Sequence, residues 1–234
     1  MRTLKRFYKD VGIRPAESGH EIALDGRGVK TPMAVPLILP TRVLAEAVAA
    51  EWSAQEENIV STAMPLTQLT NTVLDRVRPA RESFGAAVAA FARNDLICHR
   101  AETPADLVRR QDRLWSPLVD WAANRHGARL AVGYGVMPLA QPAEALIALD
   151  RSVRALDDWA LAATGAAAMA GDSLVLALAL IQGHIDAESA CQIALLDEIW
   201  QAERWGEDKE ATARQNDTVT EIKAAARFAE LSRP

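Results

Sequence analysis

The segment between residues 197 and 210 concentrates aromatic and charged side chains. Trp200 and Trp205 are two of six tryptophans in the chain, and on a helix their spacing points them in different directions, so they do not share one narrow core stripe. One of them is therefore expected near the surface. The segment holds two bases, Arg204 and Lys209, and six acids: Asp197, Glu198, Glu203, Glu207, Asp208 and Glu210.

Two interpretations of this segment remain open. A tryptophan surrounded by charged groups at a helix end is typical of a surface that binds a protein partner. Alternatively, both tryptophans belong to the core, and the acids favour the start of the last helix through its dipole.

The neighbouring acids also raise the question of acid–base catalysis. Asp197 and Glu198 are adjacent, as are Glu207 and Asp208. Because the sequence identifies no partner acid or base for them, a solvated face is the simpler interpretation. An enzyme with a site assembled from distant carboxylates stays an alternative. A deep polar pocket that gathers acids with shifted pKa values would support it.

Motifs for nucleotide, metal or covalent chemistry do not emerge elsewhere in the sequence. Residues 26–31 end in Lys-Thr after two glycines, but Val29 precedes the lysine and Pro32 follows, which predicts a hairpin and not a phosphate loop. The four histidines are scattered without metal-ligand spacing. Cys98 and His99 are adjacent, and we interpret them as a buried thiol beside a polar surface residue. No cofactor and no metal are therefore expected.

The composition is that of an ordinary folded chain. It has 234 residues, of which 50% are hydrophobic and 24% charged, and a formal charge of -5. There is no global basic field to attract nucleic acid, so no nucleic-acid partner is expected. Two cysteines suggest a reducing compartment. The longest apolar run, residues 174–181, is too short to span a bilayer, so membrane insertion is not expected either.

The pattern of the sequence changes near residue 40. Short strand-like runs with turn residues between them predict a small antiparallel sheet, with residues 22–24 pairing with 29–31 across a glycine-containing turn. The runs are residues 6–11, 20–24, 29–31 and 37–39. From there on, alanine-rich helical periodicity takes over. We predict an α+β protein with a β-rich N-terminal domain at residues 1–60 and a larger α-helical domain at residues 61–234.

Capping and breaking residues delimit the predicted helices. Thr41 and Pro65 begin the first helices, and a third carries Phe84, Val88 and Phe91. A long helix that starts at residues 103–104 is expected to kink or restart at Pro117 and to end at Gly127. Residues 130–134 predict a strand that returns to the first sheet. The later helices are predicted at residues 142–163, where Gly165 ends the helix, and at 172–182, 186–205 and 208–231.

Four segments resemble one family, the assembly chaperones for the α subunit of the ATP synthase catalytic head, also called the "ATP twelve" family. They are residues 24–32 (LDGRGVKTP), 64–72 (MPLTQLTNT), 94–102 (NDLICHRAE) and 200–208 (WQAERWGED). The resemblance covers nearly the whole chain in order. It implies a chaperone without enzymatic activity that needs no nucleotide. Its partner would be the unassembled α subunit, which it keeps from aggregating and releases to the β subunit.

The resemblance also implies which residues matter. The family's Trp-Gly-Glu motif contains a functional glutamate, whose counterpart here is Glu207, with Glu210 as the alternative. His99 stands where the family usually has Tyr. Mitochondrial members carry a presequence that this sequence lacks, so we expect the bacterial cytoplasm, or the mitochondrial matrix if the chain is eukaryotic. The candidate partner-binding residues of a free monomer are Glu207, Trp205, Trp200, Glu203 and Asp208. A general holdase or adaptor is the alternative function.

Overall fold

The N-terminal strands form a small antiparallel sheet. The computed structural model describes residues 4–135, 137–206 and 208–233. Strand β3 (Gly19–Leu24) pairs with β2 (Val11–Ala16) on one side and with β4 (Arg27–Gly28) and β5 (Ile38–Leu39) on the other, and all pairs are antiparallel. The short strand β1 (Leu4–Lys5) pairs separately with β6 (Asn58–Ile59). The predicted α+β class with an antiparallel N-terminal sheet is confirmed.

The hairpin between β3 and β4 turns at Asp25 and Gly26, which both have positive φ. The predicted pairing is confirmed only at its start: the Val29 N–H donates to the Ile22 carbonyl at 2.8 Å, whereas the Thr31 N–H turns away to the Val35 carbonyl. The strand predicted at residues 6–11 is wrong except at Val11, which begins β2. The Asp25 carboxylate accepts the N–H groups of residues 9 and 10, which replaces the ladder hydrogen bonds that a strand would need.

Ten α-helices follow in the described part of the chain. Their bounds are α1 Arg42–Ser53, α2 Pro65–Thr72, α3 Arg81–Ala89, α4 Ala105–His126, α5 Ala143–Arg154, α6 Asp158–Gly171, α7 Leu174–Ile181, α8 Ala187–Ala194, α9 Leu196–Trp205 and α10 Lys209–Ser232. Three helices begin at the predicted positions, where a side-chain oxygen caps the first turn. Thr41, Ser173 and Asp208 each accept a backbone N–H from the first turn of α1, α7 and α10.

Two predicted helix boundaries are wrong, because tertiary packing overrides the local signal, and the restart expected as one outcome at Pro117 does not occur. Helix α4 runs through Pro117, and a kink there stays a prediction. Pro117 is exposed, so the carbonyl that loses its partner can be hydrated. Gly165 does not end a helix. It lies buried inside α6, where an added Cβ would be 3.1 Å from Val88 and 3.2 Å from Phe84, and Asp157 starts α6 as its N-cap.

The second wrong boundary separates α8 from α9. A single helix was predicted over residues 186–205, but it is interrupted at Leu195. The Ile193 carbonyl accepts the indole N–H of Trp115 at 3.0 Å. This hydrogen bond replaces the one that the carbonyl would receive from the backbone of residue 197 in a continuous helix.

The strand β8 (Gly133–Tyr134) does not return to the first sheet. It pairs in parallel with β7 (His99–Arg100), and the N–H of Gly135 extends this pairing by donating to the Arg100 carbonyl at 2.8 Å. The sequence pattern indicated a strand here but held no information about its partner.

Buried side chains on both sides of residue 60 belong to one hydrophobic cluster. Ile22 and Leu39 of the sheet are in it together with every residue of α7. The domain boundary at residue 60 stays a prediction. Among the described helices, none is both long and apolar enough to cross a membrane.

Candidate functional site

Helix α9 places its two tryptophans in contrasting environments. Trp200 is 5% exposed and Trp205 is 74% exposed. Their rings nevertheless touch edge to face, with centroids 5.5 Å apart and an interplanar angle of 87°. The expectation that the pair occupies different faces is confirmed, and the buried ring supports the exposed one from below.

Helix α4 holds Trp200 through polar contacts. The indole N–H of Trp200 donates to the Asp106 carboxylate at 3.0 Å. Arg204 pairs with the same carboxylate, and its guanidinium lies 4.5 Å from the centre of the Trp200 ring. The hydrogen bond from Trp200, followed by that from Arg204, lowers the pKa of Asp106 from its ordinary value. An ionised Asp106 therefore ties together two side chains of α9.

A second ion pair joins α9 to α4 one turn further along. Arg110 donates to both carboxylate oxygens of Glu203, at 3.0 and 2.9 Å. Its hydrogen bonds lower the pKa of Glu203. Because both oxygens of this carboxylate already have a partner, Glu203 positions α9 in addition to any contact it makes with another protein.

Beneath these pairs lies a buried polar network that the sequence analysis missed. The Gln111 amide donates to Asp197 at 2.8 Å and accepts the N–H of Ala101 at 2.8 Å. Burial raises the pKa of Asp197, against the opposing effect of the Gln111 hydrogen bond. The solvated-face interpretation is therefore wrong for Asp197. The available signal was Gln111 itself, a polar residue within the inward-facing apolar row of α4.

Two further candidate acids, Asp208 and Glu210, lie at the start of α10. Asp208 is the N-cap of α10 and accepts the N–H of Ala211 at 3.0 Å. Glu210 is exposed in the first turn of the same helix. Glu207 lies outside the described residues. The structure thus brings Trp200, Trp205 and Glu203 together on α9 and gives Asp208 a capping role.

Two cavities in the described part of the chain, of about 480 and 590 Å³, each have one acid in their lining, Asp157 and Asp172 respectively. Neither of these two cavities gathers several acids. The acid with the largest raised pKa is Asp95, about 6 because of its burial. It accepts the Val175 N–H at 3.0 Å at the start of α7, which is a structural role.

The Cys98–His99 pair is equally unsuited to nucleophilic chemistry. Cys98 is fully buried, and burial, reinforced by the nearby Asp95 charge, raises the pKa of its thiol to about 12. His99 is half-buried in β7. No cluster of three or more His, Cys, Asp or Glu side chains suited to a metal ion occurs among the described residues. Among the described residues, the end of α9 presents a largely exposed aromatic side chain, Trp205.

Comparison with known proteins identifies the family of this chain. The family profile described as ATP12 chaperone protein matches residues 5–123. The mitochondrial atp12 protein of Schizosaccharomyces pombe is 24% identical over 93% of this chain and 79% of its own length. The crystal structure of ATP12 from Paracoccus denitrificans aligns with a TM-score of 0.91 and 40% identity, over 98% of this chain and 99% of that one. A protein from Agrobacterium tumefaciens aligns with the same TM-score and 39% identity, over 98% of this chain and 86% of that one.

The chain belongs to the ATP12 chaperone family. It is a chaperone for ATP synthase assembly that binds the α subunit of the catalytic head, and it is not an enzyme. The resemblance found in the sequence is therefore confirmed.

Proposed function

We propose that the protein binds the unassembled α subunit through the α9 end surface, which we define as Trp205, Arg204 and Glu203 together with Asp106 and Arg110 of α4. The observation that carries this proposal is the 74% exposure of Trp205 next to side chains fixed by ion pairs on both sides. A rigid aromatic side chain surrounded by ordered polar groups loses little conformational entropy on binding.

The proposed mechanism is the masking of an apolar surface. An α subunit without its β neighbour exposes the surface that the two would bury, and such a surface promotes aggregation. By occupying it, the chaperone lowers the concentration of free, aggregation-prone subunit by mass action. Release follows when a β subunit offers a larger or better-matched interface.

The acids of the adjoining segment would orient the partner. We propose Glu207 as the orienting charge, with Glu210 as the alternative, and Trp200 as the support of Trp205. Asp208 contributes by fixing the start of α10. We further propose that the free protein is a monomer in the bacterial cytoplasm; the bacterial origin of the similar structures supports the compartment.

Trp205→Ala tests the central claim. Because the side chain is mostly exposed, the variant should fold normally, while its affinity for purified α subunit should fall at least about tenfold, as for an interface anchor. Met33→Ala is the matched control, because Met33 is also exposed, at 71%, but lies in the N-terminal region. Equal affinities of both variants and the unchanged protein would refute the α9 end surface.

Charge reversals separate the two candidate acids. Glu207→Lys should abolish protection of the α subunit from aggregation, whereas Glu210→Lys should retain it. The opposite outcome transfers the role to Glu210. If both variants protect the α subunit fully, neither Glu207 nor Glu210 is the orienting charge. Equal protection of unrelated unfolded proteins by the unchanged chaperone would instead support a general holdase.

A further inference from the structure

A cavity at the far end of α4 combines apolar walls with cationic groups. Its volume is about 480 Å³, within the usual size range of ligand pockets. The ring of Trp121 lies at its side, stacked on His184 with centroids 5.1 Å apart and an interplanar angle of 15°. Leu156, Ala160 and Ile181 supply apolar wall. We call this cavity the Trp121 pocket.

The charged groups around the Trp121 pocket favour an anionic ligand. Arg125 is exposed and forms no ion pair within residues 4–135, 137–206 and 208–233. Arg233 donates to the Ile181 carbonyl and so covers the end of α7. The one acid in the lining, Asp157, already accepts the N–H of Ala160 at 2.8 Å. With Arg125 and Arg233 against Asp157, the charged side chains of the lining sum to +1, in a chain whose formal charge is -5.

The pocket and the α9 end surface lie towards opposite ends of α4 and on adjoining sides of it, since Arg125, nineteen residues after Asp106, is rotated from it by roughly 100°. Fifteen residues separate Asp106 from Trp121, which corresponds to a rotation of roughly 60° and a translation of about 23 Å along the helix. Arg110, which lies between them in sequence, points roughly 40° from Asp106 in the same direction. A protein interface of standard size, about 800 Å² on each partner, is wide enough to reach both ends.

We propose that the Trp121 pocket is a second contact for the α subunit and accepts a segment in which a large apolar side chain neighbours a carboxylate. The apolar side chain enters beside Trp121 and Ala160, and the carboxylate pairs with Arg125. This inference rests on the proposed function for the identity of its partner, the α subunit, and the contact at Trp205 is tested separately. Two contacts on one rigid helix would fix the orientation of the partner as well as its affinity.

The test measures affinity for purified α subunit by titration at two salt concentrations. Arg125→Glu should weaken binding at least about tenfold at low salt and less at high salt, because the lost pairing is electrostatic. Arg27→Glu, at the exposed tip of the β3–β4 hairpin, is the control with the same change in net charge. Ala160→Met, which fills the pocket without changing charge, should weaken binding independently of salt.

The outcomes separate this inference from the proposed function. If Trp205→Ala weakens binding while Arg125→Glu and Ala160→Met both behave like Arg27→Glu, the Trp121 pocket is not a contact and the α9 end surface stands. If Trp205→Ala has no effect while the pocket variants weaken binding, the α9 end surface fails and the pocket stands alone. Thermal melting checks the folding of both pocket variants, because Ala160→Met enlarges a side chain in α6 and Arg125→Glu places an acid in the last turn of α4.

Discussion

Helices α7 and α9 are both short, but they are held in place by different forces. All eight residues of α7 are buried, which is typical of a helix at the centre of a core. In α9 only Leu196 and Trp200 are buried, and its position depends on ion pairs and hydrogen bonds to α4. Apolar burial thus stabilises the fold at α7, whereas directional polar contacts orient α9 and leave Trp205 free.

Two aspartates show the same contrast. Asp95, fully buried at the start of α7, has its pKa raised to about 6 by burial, although several hydrogen bonds favour its charged form. Asp106, which holds α9, has its pKa lowered, first by the Trp200 hydrogen bond. One carboxylate therefore destabilises the fold when it ionises, and the other stabilises the arrangement of α9 when it ionises.

The largest effect is expected from truncating the core of α7. Leu178 is completely buried, so Leu178→Ala should lower the free energy of unfolding by about 4 kcal/mol, through lost transfer energy and an unfilled cavity. Urea denaturation measures the change. Ile147→Ala, at a side chain that is 59% exposed, is the control and should stay within about 0.5 kcal/mol of the unchanged protein. A similar loss from both substitutions would contradict the central role of α7.

Truncating the two tryptophans of α9 should separate stability from binding. Trp200→Ala removes a buried ring and its hydrogen bond to Asp106, so a loss of about 3 kcal/mol in unfolding free energy is expected. Trp205→Ala should cost less than about 1 kcal/mol, because its ring is mostly in water already. Denaturation curves of both variants, collected under one set of conditions, make the comparison. Equal losses would mean that Trp205 is a structural residue.

Asp95 should impose a pH dependence on stability. Its folded pKa is raised to about 6 from 3.8, so between these values the folded state binds more protons than the unfolded state. The contribution is fully present below the unfolded pKa and is lost as pH rises through the folded pKa, a decrease of roughly 3 kcal/mol. Urea denaturation at several pH values gives the free energy of unfolding as a function of pH. The difference between the unchanged protein and Asp95→Asn is the part of this pH dependence that Asp95 causes. Parallel profiles for the two proteins would refute it.

Much of the fold follows from local signals in the sequence. Thr41, Ser173 and Asp208 cap helices because a side-chain oxygen next to the first turn satisfies a free N–H wherever the helix packs. The helix restart expected at Pro117 and the helix end expected at Gly165 are absent for the opposite reason. Pro117 is tolerated because it lies on the exposed face of α4. Gly165 is needed because α3 packs closely against α6 at this position. These outcomes depend on contacts distant in sequence.

The candidate site divides in the same way. The spacing of Trp200 and Trp205 predicted their different faces, since it depends only on helix geometry. Their partners on α4 could not be predicted, because Asp106 and Arg204 are 98 residues apart in sequence. The burial of Asp197 has the same origin: it depends on Gln111, which lies 86 residues away. Only a fold that brings α4 against α9 gives these polar residues a defined role.

The smallest effect concerns Asp208, for which capping and partner contact can be separated. Asp208→Ala removes the hydrogen bond to the N–H of Ala211 and should cost about 1 kcal/mol. Asp208→Ser keeps a capping oxygen and removes the charge, so it should restore most of that stability. For α7, Ser173→Ala should cost more, because the cap of that helix is fully buried.

Affinity for the α subunit then distinguishes the two roles of Asp208. If the residue acts only as a cap, Asp208→Ser binds like the unchanged protein, and Asp208→Ala weakens binding only as far as the start of α10 frays. If the carboxylate touches the partner, Asp208→Ser weakens binding at unchanged stability, and the loss decreases with added salt. The serine variant thus decides whether the partner-binding surface extends beyond α9 into the first turn of α10.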